Sequence, residues 1–124
     1  MGLWCCVTNG APNTNINFEA CSRTTYAAGE PYGNGVAYVL DDITSNAPNA
    51  SGPKYESVSP DLNALCYGSG FCVSALTFED CSTCMLAAST EIQNHCAGHI
   101  WGVVLLQDCS IAYKKVGDKD KQRH

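Results

Sequence analysis

The chain has 124 residues, 45% of them hydrophobic and 15% charged, with nine cysteines. One domain's length, no apolar run near the ~18 residues of a membrane helix and so little charge exclude several domains, a helical membrane span and a disordered chain. The net charge is −5, but five of the seven Lys and Arg lie in residues 114–124, so residues 1–113 hold Arg23 and Lys54 against ten acids. That anionic body repels nucleic acid and anionic lipid, and the basic end reads as a solvated terminus.

Residues 9–17 (NGAPNTNIN) are turn-rich and set a short apolar patch, Leu3 to Val7, apart from the rest. Residues 29–35 (GEPYGNG) read as a second loop. Val36, Val39, Leu40 and Ile43 recur at helical spacing and predict a helix over about Gly35–Ser45. Residues 46–53 (NAPNASGP) end it. Lys54–Ser59 reads as a strand with Tyr55 and Ser57 on one side and Glu56 and Val58 on the other. Leu65–Ser74 reads as another, with Gly68 and Gly70 suggesting a bulge. Thr77 opens a long helix as its cap, and Cys81, Cys84, Met85, Ala88 and Ile92 share one face of it. Val103–Tyr113 alternates and reads as one half-buried strand, with Val103, Leu105, Cys109, Ile111 and Tyr113 on one side. The pattern predicts an α+β domain, two helices on a small antiparallel sheet.

Nine cysteines in so short a chain point to an oxidising compartment, and the odd count leaves at least one thiol free or intermolecular. Met1-Gly2-Leu3-Trp4 lacks a basic start, so the chain reads as a mature secreted segment with an added initiator methionine. Asn49-Ala50-Ser51 is a glycosylation sequon in a loop. Cys81, Cys84, His95 and His99 resemble a Cys2His2 zinc set, but the middle spacing is short and the cysteine pair sits inside a helix, so no metal is expected there. The acid pairs Asp41-Asp42 and Glu79-Asp80 occupy adjacent helix positions, which point apart and do not suit paired acid–base chemistry. No phosphate loop or nucleophile elbow occurs. The reading is a non-enzyme without a cofactor.

The order Cys72-x8-Cys81-x2-Cys84-x11-Cys96-x12-Cys109, preceded by Cys21, resembles the plant stress-antifungal domain family, the ginkbilobin-like or cysteine-rich-repeat secretory type. Gly29-x-Pro31-Tyr32 after Cys21, Tyr67-Gly68 before Cys72, and the closing Asp108-Cys109-Ser110-Ile111-Ala112-Tyr113 agree with it. The resemblance covers residues 15–114, leaving 1–14 as an N-terminal extension and 115–124 as a basic flexible tail. It implies about five strands and three disulfides, Cys21–Cys96, Cys72–Cys81 and Cys84–Cys109. Cys5, Cys6 and Cys66 fall outside the pattern. One of the first two is expected to bridge to Cys66, and the remaining thiol to stay free or link two chains.

The resemblance also implies a secreted (apoplastic), non-enzymatic defence protein with antifungal activity and mannose recognition. The family's sugar contacts are an Asn after the first cysteine, an Arg early in the last strand and a Glu at its end. The matching positions here hold Ser22, Val103 and Lys114. Val103 has no hydrogen-bonding side chain and Lys114 reverses a charge. A replacement set of Arg23, Glu19, Asp108 and Lys115 has no motif behind it. The expected partner is a glycan or microbial surface component. The alternative is another extracellular protein, as for the ectodomains of cysteine-rich receptor kinases.

Overall fold

The computed structural model describes residues 11–50, 52 and 54–117. Cys5, Cys6, the Leu3–Val7 patch, Ser51 of the sequon and most of the basic end lie outside them. The elements run β1 (Ile16–Cys21), α1 (Pro31–Asn46), a 3-10 turn (Ala47–Asn49), β2 (Lys54–Val58), β3 (Cys66–Cys72), α2 (Phe78–His95), β4 (Gly102–Leu106) and β5 (Cys109–Lys115). The five strands form one antiparallel sheet in the order β1-β4-β5-β3-β2. Two helices lie on it, giving the α+β architecture that the periodicity predicts.

The helices form for reasons visible in the chain. Pro31 stands in the first turn of α1, where a missing N–H costs nothing and its fixed φ suits the helix. The helix therefore starts four residues earlier than its apolar periodicity suggests, inside the segment read as a loop. Thr77 caps α2, its hydroxyl accepting from Asp80 N at 3.0 Å. Glu79 and Asp80 occupy the first turn and His95 the last, which matches the helix dipole at both ends. Tyr32, Val39 and Ile43 of α1 meet Met85, Ala88 and Ile92 of α2 over Val104 and Ile111 of the sheet, all fully or almost fully buried.

Three expectations are corrected. Residues 103–113 are not one strand. Gln107 and Asp108 turn the chain, with Asp108 Oδ2 accepting from Asn13 N at 2.7 Å and Gln107 N donating to Asn15 O at 2.9 Å. The turn inverts the alternation, so Val104 and Leu106 face inward with Cys109, Ile111 and Tyr113, while Val103 and Leu105 face outward. Residues 16 and 17, read as turn-rich, begin the edge strand β1, which carries a register shift between Ile16 and Phe18. β3 pairs without interruption on both sides, so its glycines mark no bulge. They let α1 approach instead. A Cβ on Gly70 would collide with Ile43 Cγ2 and come within 2.8 Å of Met85 Cε, and one on Gly68 would lie 2.9 Å from Ile43 Cδ1.

Three disulfides join Cys21 to Cys96, Cys72 to Cys81 and Cys84 to Cys109. All three end on α2 or on the residue after it. Their sequence separations of 75, 9 and 25 correspond to about 4.5, 2.6 and 3.5 kcal/mol of lost unfolded-chain freedom in the loop-entropy model.

The contact at Gly70 makes a direct prediction. Ile43 is β-branched and has little rotamer freedom with which to give way. Gly70→Ala should lower stability by about 1–3 kcal/mol through overpacking, read as a reduced urea midpoint at unchanged slope. An unchanged midpoint would show that α1 can lift off β3 at no cost.

Candidate recognition surface

Antiparallel partners point to the same side of a sheet, so the register defines each face. The inner face carries Val104, Leu106, Cys109, Ile111 and Tyr113, packed under the helices. The outer face carries one row of Phe18, Leu105, Ser110, Phe71 and Lys54, and a second of Ala20, Val103, Ala112, Ser69 and Glu56. Lys114, Tyr67 and Val58 form a third, shorter row. Among the described residues, no element covers this face. Phe18 is 52% exposed, Val58 52%, Phe71 39% and Leu105 38%.

The outer face is poor in free charge. Lys54 and Glu56 pair with each other at 3.3 Å near the β2 edge. Tyr67 OH donates to Glu56 Oε2 at 2.8 Å, and this bond, more than Lys54, holds the Glu56 carboxyl below the usual range. Lys114 Nζ lies 5.6 Å from the centre of the Tyr67 ring, a cation–π contact. The acids Asp41, Asp42, Glu79, Asp80 and Glu91 are on the helices, on the other side of the molecule.

Register brings the three positions matched to a sugar site toward one end of the sheet, because Cys21 and Tyr113 both pair with Gly102. Their chemistry does not converge. Ser22 is buried, and its hydroxyl donates to Thr24 O at 2.6 Å while accepting from Ile100 N at 2.9 Å and Trp101 N at 3.3 Å. His99 Nδ1 lies 2.6 Å from Ser22 O. Ser22 thus ties the loop after β1 to the loop before β4. Val103 sits between Ala20 and Ala112, and Lys114 lies over Tyr67. The replacement set is scattered. Asp108 is in the β4–β5 turn at the far end, Lys115 lies 5.4 Å from the Tyr32 ring centre, Glu19 is on the inner face, and Arg23 follows Ser22 in the loop.

The remaining sequence motifs resolve simply. Cys81 and Cys84 are both in disulfides, so neither offers a thiolate to zinc. Asp42 accepts from Tyr55 OH at 3.1 Å and from Asn46, whereas Asp41 is exposed, so this acid pair does not act together. Asn49 is exposed at the end of the 3-10 turn. A cleft of about 470 Å³ lies between the helices, bounded by Tyr26, Leu40, Asp41, Leu86 and Gln93. Periodicity gave no sign of it, since its walls come from both helices and from the loops at Tyr26 and Gly98.

The Cys5 or Cys6 expected to bridge to Cys66 lies outside the described residues, and Cys66 itself is a free thiol, fully buried at the start of β3. Tyr32 OH lies 3.6 Å from its sulfur while donating to Ile100 O at 2.8 Å. Burial pushes the Cys66 thiol up to about 11, only partly opposed by the Tyr32 hydroxyl and a backbone hydrogen bond.

Comparison with known proteins gives concordant matches. The family model for salt stress response/antifungal proteins matches residues 20–116. An antifungal ginkbilobin-like protein 1 of Picea sitchensis is 30% identical over 108 residues, covering 86% of this chain and 80% of that protein. An antifungal ginkbilobin-like protein of Picea abies is 30% identical, covering 85% of this chain and 97% of that one. Among solved structures, the tandem DUF26 ectodomain of the Arabidopsis thaliana cysteine-rich receptor-like protein PDLP5 superposes with a TM-score of 0.73 at 19% identity over 81% of this chain. That of PDLP8 does so with a TM-score of 0.70 at 24% identity over 86% of this chain. The chain spans about half of each tandem ectodomain, 49% and 48%.

The Cys66 environment predicts its reactivity. A thiol ionising near 11 is almost wholly protonated at pH 8, and it is also sealed from solvent. Iodoacetamide at pH 8 should leave Cys66 unmodified in the folded protein and alkylate it once urea unfolds the chain. Peptide mass mapping reads the difference, and rapid labelling of folded protein would contradict the buried, neutral thiol.

Proposed function

Because the chain belongs to the salt stress response/antifungal family, we propose that it is a secreted plant defence protein that works by binding and not by catalysis, and that it has no mannose site. The observation that carries this reading is the uncovered, apolar outer face of the sheet, with its few charges paired or placed on an aromatic ring. Depletion of charge at the centre with aromatic residues present is the composition of a protein contact. The three sugar-site positions supply one buried, internally bonded hydroxyl, one isopropyl group and one ammonium. These cannot bracket sugar hydroxyls as an amide, a guanidinium and a carboxylate would.

The occupant we assign to this face is a second domain of the same fold. Two considerations support it. The tandem ectodomains similar to this chain are each about twice its matched length. In addition, two bodies carrying negative charge on their helical sides repel least when they approach through faces without free charge. Exposed Asn49 fits glycosylation on an extracellular chain, away from this face.

The test is sedimentation velocity on the full chain with Cys5→Ser and Cys6→Ser, so that no covalent link between chains contributes. Association should grow with concentration and be reduced at least tenfold by Leu105→Asp, with an unchanged circular dichroism spectrum. A monomer at every concentration would overturn the assignment of the face. Calorimetry with mannose should show no heat at millimolar sugar, and saturable heat would restore the lectin reading.

A further inference from the structure

One cluster of side chains has no part in the packing or in the recognition face. Glu19 of β1 lies on the inner side of the sheet, opposite Val104. Glu91 and His95 stand one turn apart on α2, at i and i+4, and so share one face of the helix. His95 Nδ1 is 3.8 Å from Glu19 Oε2. One ligand atom from each of the three residues lies within 4.8 Å of the other two. Glu19 Oε1 is buried and has no hydrogen-bond partner.

This arrangement is electrostatically incomplete. Two neighbouring carboxylates repel, and a buried carboxylate oxygen without a donor bears its desolvation cost uncompensated. The lysines among the described residues are placed elsewhere, Lys54 on Glu56, Lys114 on Tyr67 and Lys115 on Tyr32. Among the described residues, the basic group set beside the two carboxylates is the His95 imidazole, which as a neutral ring can serve as a ligand.

We propose that Glu19, Glu91 and His95 bind a divalent transition-metal ion of the zinc type, joining the edge strand β1 to the last turn of α2. Bonds of about 2.0–2.2 Å to nitrogen and oxygen put tetrahedral ligands roughly 3.3–3.5 Å apart. The observed separations need to close by only an ångström or so, within reach of side-chain rotation. The Cys21–Cys96 disulfide holds the two backbones together, two residues beyond Glu19 and one beyond His95. An imidazole with two carboxylates suits zinc and its neighbours in the first row, whereas calcium and magnesium favour all-oxygen shells. Three protein ligands leave the fourth position to water. The ion would also give the orphaned Glu19 oxygen its missing partner.

Calorimetric titration of Zn²⁺ into chelator-treated protein tests this. The Cys5→Ser, Cys6→Ser chain is used so that free thiols do not compete. One equivalent should bind, and Glu91→Gln or His95→Ala should each weaken binding at least tenfold, while Glu79→Gln should leave it unchanged. Saturating Zn²⁺ should also raise the thermal midpoint by about 3–8 °C, given a ligand that binds only the folded state, and the rise should vanish in Glu91→Gln. Both Glu91 and His95 are at least partly exposed, so their variants should fold, which circular dichroism checks beforehand. Equal affinity in all variants would place the zinc elsewhere, for example on the terminal histidine, and overturn the proposal, as would no binding at millimolar Zn²⁺.

Discussion

The constraint on which the molecule depends is the triple tethering of one helix. Cys81 and Cys84 sit a turn apart on α2 and bridge to the end of β3 and the start of β5, while Cys96, just past the helix, bridges to the end of β1. One helix is thereby fixed to both halves of the sheet. A domain this small buries a limited apolar core, and the bridges weaken the competing unfolded state where extra burial is not available. Helix α1 has no disulfide. It is held by shape, with Ile43 seated over Gly68 and Gly70, so the two helices reach the same layer by different means.

That layering decides what is left for function. With both helices on one side, the alternation of every strand divides its residues between a packed face and an open one. The open face keeps Phe18, Phe71, Leu105 and Val58 partly exposed, although burying the rest of each would contribute about 1 kcal/mol. No single exposed apolar residue calls for explanation, but a contiguous patch does. Five of the ten acids in residues 1–113 are on the helices and only Glu56, paired with Lys54, is on the outer face, which leaves the sheet as the side where close approach costs least.

Most of this fold was legible in the sequence, and the failures share a cause. The face of α2 was plain because five apolar residues fall at helical spacing, and the Thr77 cap is a local signal. The β4–β5 turn was missed because Gln107-Asp108 interrupts the apolar alternation without glycine or proline, and it is stabilised by Asn13 and Asn15, about 95 residues away in sequence. Pro31 was read as a loop residue because proline marks both loops and helix starts, and only packing distinguishes them. Gly68 and Gly70 announced an irregularity, but sequence cannot tell a bulge from a helix pressing on the strand. At the surface, the change of chemistry at two of the positions matched to the family's sugar contacts could be read from Val103 and Lys114 alone. That Ser22 is a buried tie between two loops required the hydrogen bonds to Thr24, Ile100 and Trp101.

The same limit explains why the Glu19, Glu91 and His95 cluster carries no sequence signature. Its members come from an edge strand and from a helix more than seventy residues later in the sequence, brought together by the Cys21–Cys96 bridge. Motif reading looks for ligands at short spacing, and the set it weighs and sets aside is Cys81, Cys84, His95 and His99, of which the two cysteines are bonded to other sulfurs. Disulfides act here in two opposite ways. They remove the thiolates that a sequence pattern offers to a metal, and they fix the two backbones that set carboxylates and an imidazole within one ion's reach. The chemistry available at that end of the domain follows from the pairing of its cysteines more than from their number.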